Sequence, residues 1–360
     1  MKRGGVFESR VELADRRKFF DPHYVAEHAS FIYEHCLNTE HASLPSPTYL
    51  AQQTDINASM REILIDWLIE VHLKFKLLPE TLYLTVNLID RYLERRNILR
   101  NKLQLVGVTA MLIASKYEEI YPPIVTDFVY ITDNAYDKSE ILEMEESMLK
   151  HLEFSIHFTS PYRFLERFFY LKSSNERERF AAQFLVEACL IHYPMLKYNS
   201  SVLAAGALYL ASKLCSSPDP WSRDLAQVTH LQEATLRQCA KEMYSGVLLR
   251  VMDQNSKLKA VYNKFASPKY GSVSTMLQRQ TYAQQREQRL EMNSVHRQSV
   301  GTTNTYETQG SEGATLETTS TKKQRRNQST EGGLISKFKT SNHSLPMNEF
   351  IPTSQSSESI

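Results

Sequence analysis

Histidine, cysteine and carboxylate side chains carry most protein chemistry, yet their spacing in this 360-residue chain assembles none of the usual sites. His35, Cys36 and His41 lie close together and are of metal-ligand type. Six residues of separation put the two histidines on different sides of a helix, so surface histidines are the expectation. The four cysteines, Cys36, Cys189, Cys215 and Cys239, are far apart and form no C-x-x-C pair. That spacing fits a reducing compartment and excludes a zinc ribbon. The H-E-x-x-H, phosphate-loop and dinucleotide glycine patterns are absent. Nothing brings together a nucleophile, a base and an orienting group. We therefore expect a chain that is not itself an enzyme and uses no cofactor or metal.

Two other charges demand an explanation. Arg61 and Asp90 each stand among apolar residues, where a lone charge is costly, so they are expected to pair. Breaking a buried pair typically costs about 3–5 kcal/mol, because one charge is stranded. Lys116 closes a long uncharged run, where a lysine can meet free helix carbonyls.

The element that must position these residues is Leu103 to Glu119, LQLVGVTAMLIASKYEE. It carries no charge from Leu105 to Ser115, and a helix apolar all round is normally buried on all sides. Gly107, Ala110 and Ala114 share one face, where small side chains admit a neighbouring helix. The uncharged run is too short to span a bilayer. Residues 105–116, LVGVTAMLIASK, recur as residues 202–213, VLAAGALYLASK. So long an offset implies two copies of a whole domain.

Residues 56–78 predict a helix with two apolar stripes. Ile63, Leu64, Trp67, Leu68 and Val71 form one, and Ile65, Ile69 and Leu73 the other. Two stripes mean burial on both sides or an apolar surface kept for a partner. Pro79 opens a further helix through about Arg95, and helices over 124–132 and 138–151 complete the first set. The linker SIHFTSPYR leads to a second set near 161–172, 177–193, 199–214, 222–229 and 233–252. The expected fold is all-α. A flexible extension (1–20) and an N-terminal helix with its linker (21–55) precede two five-helix domains (56–158 and 159–266). A disordered tail (267–360) follows. From Pro268 onward, 42 of 93 residues are Ser, Thr, Asn or Gln, too polar to offset the entropy of ordering. Ser267-Pro268 at that boundary offers a proline-directed phosphorylation site. Before the tail, 31 Lys/Arg face 33 Asp/Glu, which argues against nucleic-acid binding. The start lacks a signal-peptide core, so nucleus and cytoplasm are expected, with no membrane partner.

Three stretches resemble the cyclin box: MREILIDWLIEVHLKFKLLPETLYLTVNLIDRYL (60–93), KLQLVGVTAMLIASKYEEIYPP (102–123) and DFVYITDNAY (127–136). The match is similar to B-type, mitotic cyclins and covers roughly residues 21–265. The resemblance implies two tandem cyclin boxes behind an N-terminal helix. It also implies a regulatory subunit that binds and activates a cyclin-dependent Ser/Thr protein kinase at G2/M.

The same resemblance assigns roles to residues. Lys116 and Glu145 would be the polar anchors on the kinase, with Tyr117, Glu118, Phe154, Ile156 and Ile32 lining the rest of that surface. His28 and His35 stand where the family has tyrosines, a departure within the N-terminal helix. Met60, Ile63, Leu64 and Trp67, with Leu103 and Gln104, match a shallow patch that docks Arg-x-Leu peptides of substrates and inhibitors. Glu70 would face the peptide's basic residue, and the resemblance implies partial exposure of the patch. Arg10-x-x-Leu13 fits a minimal degradation motif and would make a ubiquitin ligase a further partner. Lys322-Lys323-Gln324-Arg325-Arg326 is a candidate nuclear import signal. Two rival readings are a cyclin-fold, nucleic-acid-binding transcription factor and a non-activating scaffold. The first requires a basic folded region, and the second the loss of Lys116 or Glu145.

Overall fold

The computed structural model describes residues 24–283, together with Asp15 and Arg286. Among the described residues all regular structure is helical. A helix α1 (Ala29–Thr39) leads through 3-10 turns into the first domain. That domain contains α2 (Ala58–Phe75), α3 (Pro79–Arg95), α4 (Leu103–Glu118), α5 (Val125–Ile131) and α6 (Lys138–His151). The second contains α7 (Pro161–Lys172), α8 (Glu176–Ile191), α9 (Ser200–Leu214), α10 (Arg223–Thr229) and α11 (Glu233–Glu242). The chain runs on from α11 through a π-helical turn, Met243–Leu248, into Leu249–Met252. Then come α12 (Ala260–Ala266) and α13 (residues 273–283).

Local chemistry starts these helices where the sequence suggests. Side chains of Asn57, Asp137, Ser160, Asn175 and Ser222 each accept a backbone N–H of the first turn. Each satisfies a donor that the helix itself leaves unpaired. Pro79 and Pro161 occupy first helical positions, where the missing N–H costs nothing.

The repeated helices α4 and α9 are the two centres. Every residue from Leu105 to Ser115 is buried, with α3 and α6 packed along the helix. Gly107 permits the approach of α2, because a Cβ there would come within 2.8 Å of Leu64 Cδ1. In the second domain α9 is enclosed by α7, α8 and α11.

The two stripes of α2 serve two cores. Leu64, Trp67, Leu68 and Val71 pack in the first domain, whereas Ile65 and Ile69 join the apolar cluster of the second. Polar contacts follow the same face. Arg250 donates to both carboxylate oxygens of Glu62, and the Ala260 N–H donates to Asp66 at 2.9 Å. Burial alone would raise the Glu62 carboxyl, but hydrogen bonds from His192 and Arg250 hold it below the ordinary value.

Arg61 and Asp90 meet at the centre of this interface, each side chain 1 % exposed. Nε and Nη2 of Arg61 donate to the two Asp90 oxygens at 2.6 and 2.7 Å. Nη1 reaches into the second domain, donating to the carbonyls of Leu190 and Ile191 at 3.0 and 3.2 Å. Those carbonyls end α8, where a helix lacks its own donors. The Tyr49 hydroxyl donates to Asp90 at 2.7 Å. The pair is therefore fully hydrogen-bonded, the condition under which buried charges are tolerated.

The domain boundaries differ from expectation at both ends. The tail was expected to leave the fold at residue 267, yet α13 buries Val273 and Leu277 against the second core. The Ser274 hydroxyl donates to Tyr262 O, and Tyr282 to Met252 O. Polar composition concealed this helix, because its few apolar residues lie on one face. α12 is likewise unforeseen, and is held by a buried pair, Lys264 with Glu187 at 2.6 and 2.7 Å. At the other end Asp15, expected in a flexible extension, is buried against Arg167. The import signal and the rest of the tail lie outside the described residues.

Truncating Asp90 to Ala is expected to lower stability by about 3–5 kcal/mol, because Arg61 is left charged and enclosed. Urea unfolding of both proteins measures the difference. A second prediction concerns pH. Burial, then the Lys264 charge, push the His72 imidazole down to about 4, against the opposing hydrogen bond with Leu78 O. The folded state thus resists a proton that the unfolded chain takes up near pH 6.5. Stability from this group should be present above that value and be lost as pH falls towards 4. The His72→Gln protein should show a flatter melting temperature across that interval.

Candidate functional site

Lys116 and Glu145 come together across the first domain. Lys116 lies in the last turn of α4, and its Nζ donates to both Glu145 oxygens at 2.7 and 2.8 Å from α6. The lysine is 46 % exposed and Glu145 is 14 % exposed, so the pair faces solvent at its lysine end. A surface pair of this kind contributes little to stability. It leaves a cation with one donor to spare, since an ammonium has three and Glu145 takes two.

Several of the other residues assigned to this surface are exposed as well. Tyr117 follows directly and is half exposed, while Glu118 is partly buried. Burial, then the neighbouring charges of Glu80 and Glu119, raise the Glu118 carboxyl. Phe154, after α6, is 67 % exposed. Glu153 and Phe154 both take left-handed backbone, φ 54° and 56°, where a side chain costs of order 1–2 kcal/mol. This turn throws the Phe154 ring outward, while Ile156 folds back, partly buried against the first core. Ile32 is exposed on α1, which is attached to the second domain through Tyr33. The residues assigned to this surface are thus carried by both domains.

Sequence reasoning overlooked two features here. Ile120, Tyr121 and Ile124 are exposed next to Tyr117 in the chain. Their signal was Pro122-Pro123, which ends α4 and forces an extended turn outside the core. Glu119 fixes the start of that turn by accepting the Leu78 N–H at 2.7 Å and the Thr81 hydroxyl. The other feature is Arg167, an arginine within the apolar run FLERFF, which called for a partner as Arg61 did.

The substrate-docking patch differs from its expected exposure. Leu64 and Leu103 are wholly buried, Met60 is 7 % and Trp67 6 % exposed. Ile63 and Gln104 are half-buried and Glu70 is exposed. The expectation of a partly exposed patch is therefore corrected for Met60, Leu64, Trp67 and Leu103, which are all core. The physical cause is the close approach at Gly107, which draws Leu64 inward. Arg10 and Leu13, the candidate degradation motif, lie outside the described residues.

Among the described residues no group of three or more His, Cys, Asp or Glu side chains could hold a metal ion. No helix there is long and apolar enough to cross a membrane.

Comparison with known proteins follows the same division of the chain. Residues 31–157 match the cyclin N-terminal domain and residues 159–279 the cyclin C-terminal domain. The second match includes part of α13. Cyclin-B2-2 of Oryza sativa subsp. indica is 43 % identical over 250 residues, covering 69 % of this chain and 59 % of that protein. G2/mitotic-specific cyclin-1 of Medicago sativa subsp. varia is 43 % identical over 250 residues, covering 69 % of this chain and 58 % of its own length. The chain thus spans less than two thirds of these relatives. The structure of a viral cyclin from herpesvirus saimiri superposes with a TM-score of 0.54 at 20 % identity, covering 59 % of this chain and 97 % of the viral one. That likeness concerns the fold.

The burial of the patch sets a measurable cost. Met60→Ala combined with Trp67→Ala should destabilise the chain by several kcal/mol, as about 3–5 kcal/mol is usual for Trp→Ala in a core. Thermal unfolding that leaves the melting temperature unmoved would show these side chains to be surface groups.

Proposed function

The chain belongs to the cyclin family, with its N-terminal and C-terminal domains in tandem, and from that premise we propose that it is the regulatory subunit of a cyclin-dependent Ser/Thr protein kinase. It binds and activates the kinase and has no catalytic role of its own. The observation that carries the reading is the exposed Lys116 held beside Glu145, with Tyr117, Phe154 and Ile32 also exposed. Kinases of this kind need a helix bearing a glutamate in place and an ordered activation loop. A rigid surface that binds only that arrangement shifts the population towards it. Lys116 and Glu145 would hold backbone groups of the kinase, and the exposed rings would bury against its apolar side chains. The buried Arg61–Asp90 pair keeps the two halves of this surface in register.

Control of mitosis at G2/M is the finer proposal. It is supported by the likeness to B-type cyclins, one of which is named G2/mitotic-specific. Docking of Arg-x-Leu substrates and inhibitors extends the proposal. Ile63, Gln104 and Glu70 offer its accessible rim, and Met60 and Trp67 its floor. Nuclear and cytoplasmic residence, and turnover through a ubiquitin ligase, complete the reading.

The test is co-purification of the full chain with a recombinant cyclin-dependent kinase, followed by a phosphorylation assay. Lys116→Ala should weaken kinase binding at least about tenfold, equivalent to about 1.4 kcal/mol, with the fold intact. Undiminished affinity by calorimetry would remove Lys116 from the interface. Absence of kinase activation by the unaltered chain would overturn the function.

A further inference from the structure

We infer that Arg167 is a positioning residue for the partner surface: from the second domain it fixes the start of α1, and so the placement of Ile32. The inference rests on the proposed function, in which Ile32 faces the kinase.

α1 cannot be set by apolar packing alone. Only Ala29 and Tyr33 of the helix are buried, and Phe31 is 68 % exposed. A cleft of about 260 Å³ lies between it and α7, lined by Tyr24, Ile32, Arg163 and Tyr170 among others. Specific contacts hold the helix instead. The Tyr33 hydroxyl donates to Thr229 O at 3.0 Å, with its ring edge-on to Phe164 and Phe168. Beyond the far end, Glu40 accepts the Ser201 N–H and hydroxyl, each at 2.8 Å.

The near end depends on Arg167. Its Nη1 and Nη2 donate to the two oxygens of Asp15, the latter at 2.9 Å, and both side chains are largely buried. Such a fork-to-fork pair defines angle as well as distance. The Tyr24 hydroxyl donates to Asp15 at 2.7 Å and accepts from Arg167. Its ring meets Tyr170 edge-on at 5.0 Å. The next residue, Val25, has left-handed backbone at φ 52°, a real outlier for a β-branched side chain. Strain of this kind persists where surrounding contacts over-determine the chain. The chain therefore turns from a fixed point straight into α1. Apart from Asp15, every one of these holds belongs to the second domain, whereas Lys116, Glu145 and Phe154 belong to the first.

A double-mutant cycle on the full chain tests the assignment, with affinity for the recombinant kinase read by calorimetry. Arg167→Ala should weaken binding roughly threefold to tenfold, a range usual for coupled neighbours. The loss should vanish in an Ile32→Ala background, because Arg167 acts through Ile32. In a Lys116→Ala background it should persist in full. Arg167→Lys should not rescue, since an ammonium lacks the planar fork. Should Arg167→Ala lower the melting temperature severely, Tyr24→Phe, which deletes one hydroxyl, takes its place in the cycle. Independent losses for Arg167 and Ile32 would reduce Arg167 to a structural role and overturn the inference. So would unchanged affinity for Arg167→Ala where Lys116→Ala weakens binding. If neither Lys116→Ala nor Ile32→Ala alters affinity, the proposed surface itself falls, and this inference with it.

Discussion

One guanidinium connects the two domains. Arg61 is enclosed in an apolar interface, yet none of its charge is left unanswered, because Asp90 takes two of its donors and the end of α8 takes a third. Burial would weaken its hold on the proton, but the Asp90 charge more than reverses that and keeps it protonated. A hydrophobic pair could fill the same volume, and buried ion pairs often add little net stability. The distinctive contribution here is geometric. An arginine fork fixes both the Asp90 carboxylate of α3 and the last carbonyls of α8, so one angle between domains satisfies it.

That constraint makes α2 the spine of the molecule. Arg61, Glu62 and Asp66 all contact the second domain, and Ile65 and Ile69 bury in its core. The other side of the same helix is core of the first domain. A chain built this way has few means of changing its interdomain angle without exposing charge. Rigidity of that kind would suit the proposed role, which is to select one arrangement of a mobile kinase.

The candidate partner surface uses that rigidity. Lys116 and Glu145 stand on α4 and α6, Phe154 on the strained turn after α6, and Ile32 on a helix attached to the other domain. The same interface that buries Arg61 therefore sets the distance between the polar anchor and Ile32. The candidate docking patch shows the opposite use of apolar surface. Met60 and Trp67 close over the first core, leaving Ile63, Gln104 and Glu70 to meet solvent.

Much of this was written in local sequence. Uncharged runs and prolines marked α2 to α10 to within about three residues, since helix periodicity and termini depend on neighbours in the chain, whereas the helix expected over 233–252 is interrupted by the π-helical turn after α11. The need for a partner at Arg61 was also legible, because a lone charge in an apolar run violates solvation physics wherever it is placed. What the sequence could not decide was which apolar face meets which core. Leu64 lies inside because α4 approaches at Gly107, a contact over forty positions away. Residues 273–283 belong to the fold because Val273 and Leu277 bury against the second core, which composition cannot reveal. Asp15 is ordered by an arginine 152 residues distant. Periodicity is a local property, whereas burial belongs to whatever the rest of the chain brings alongside.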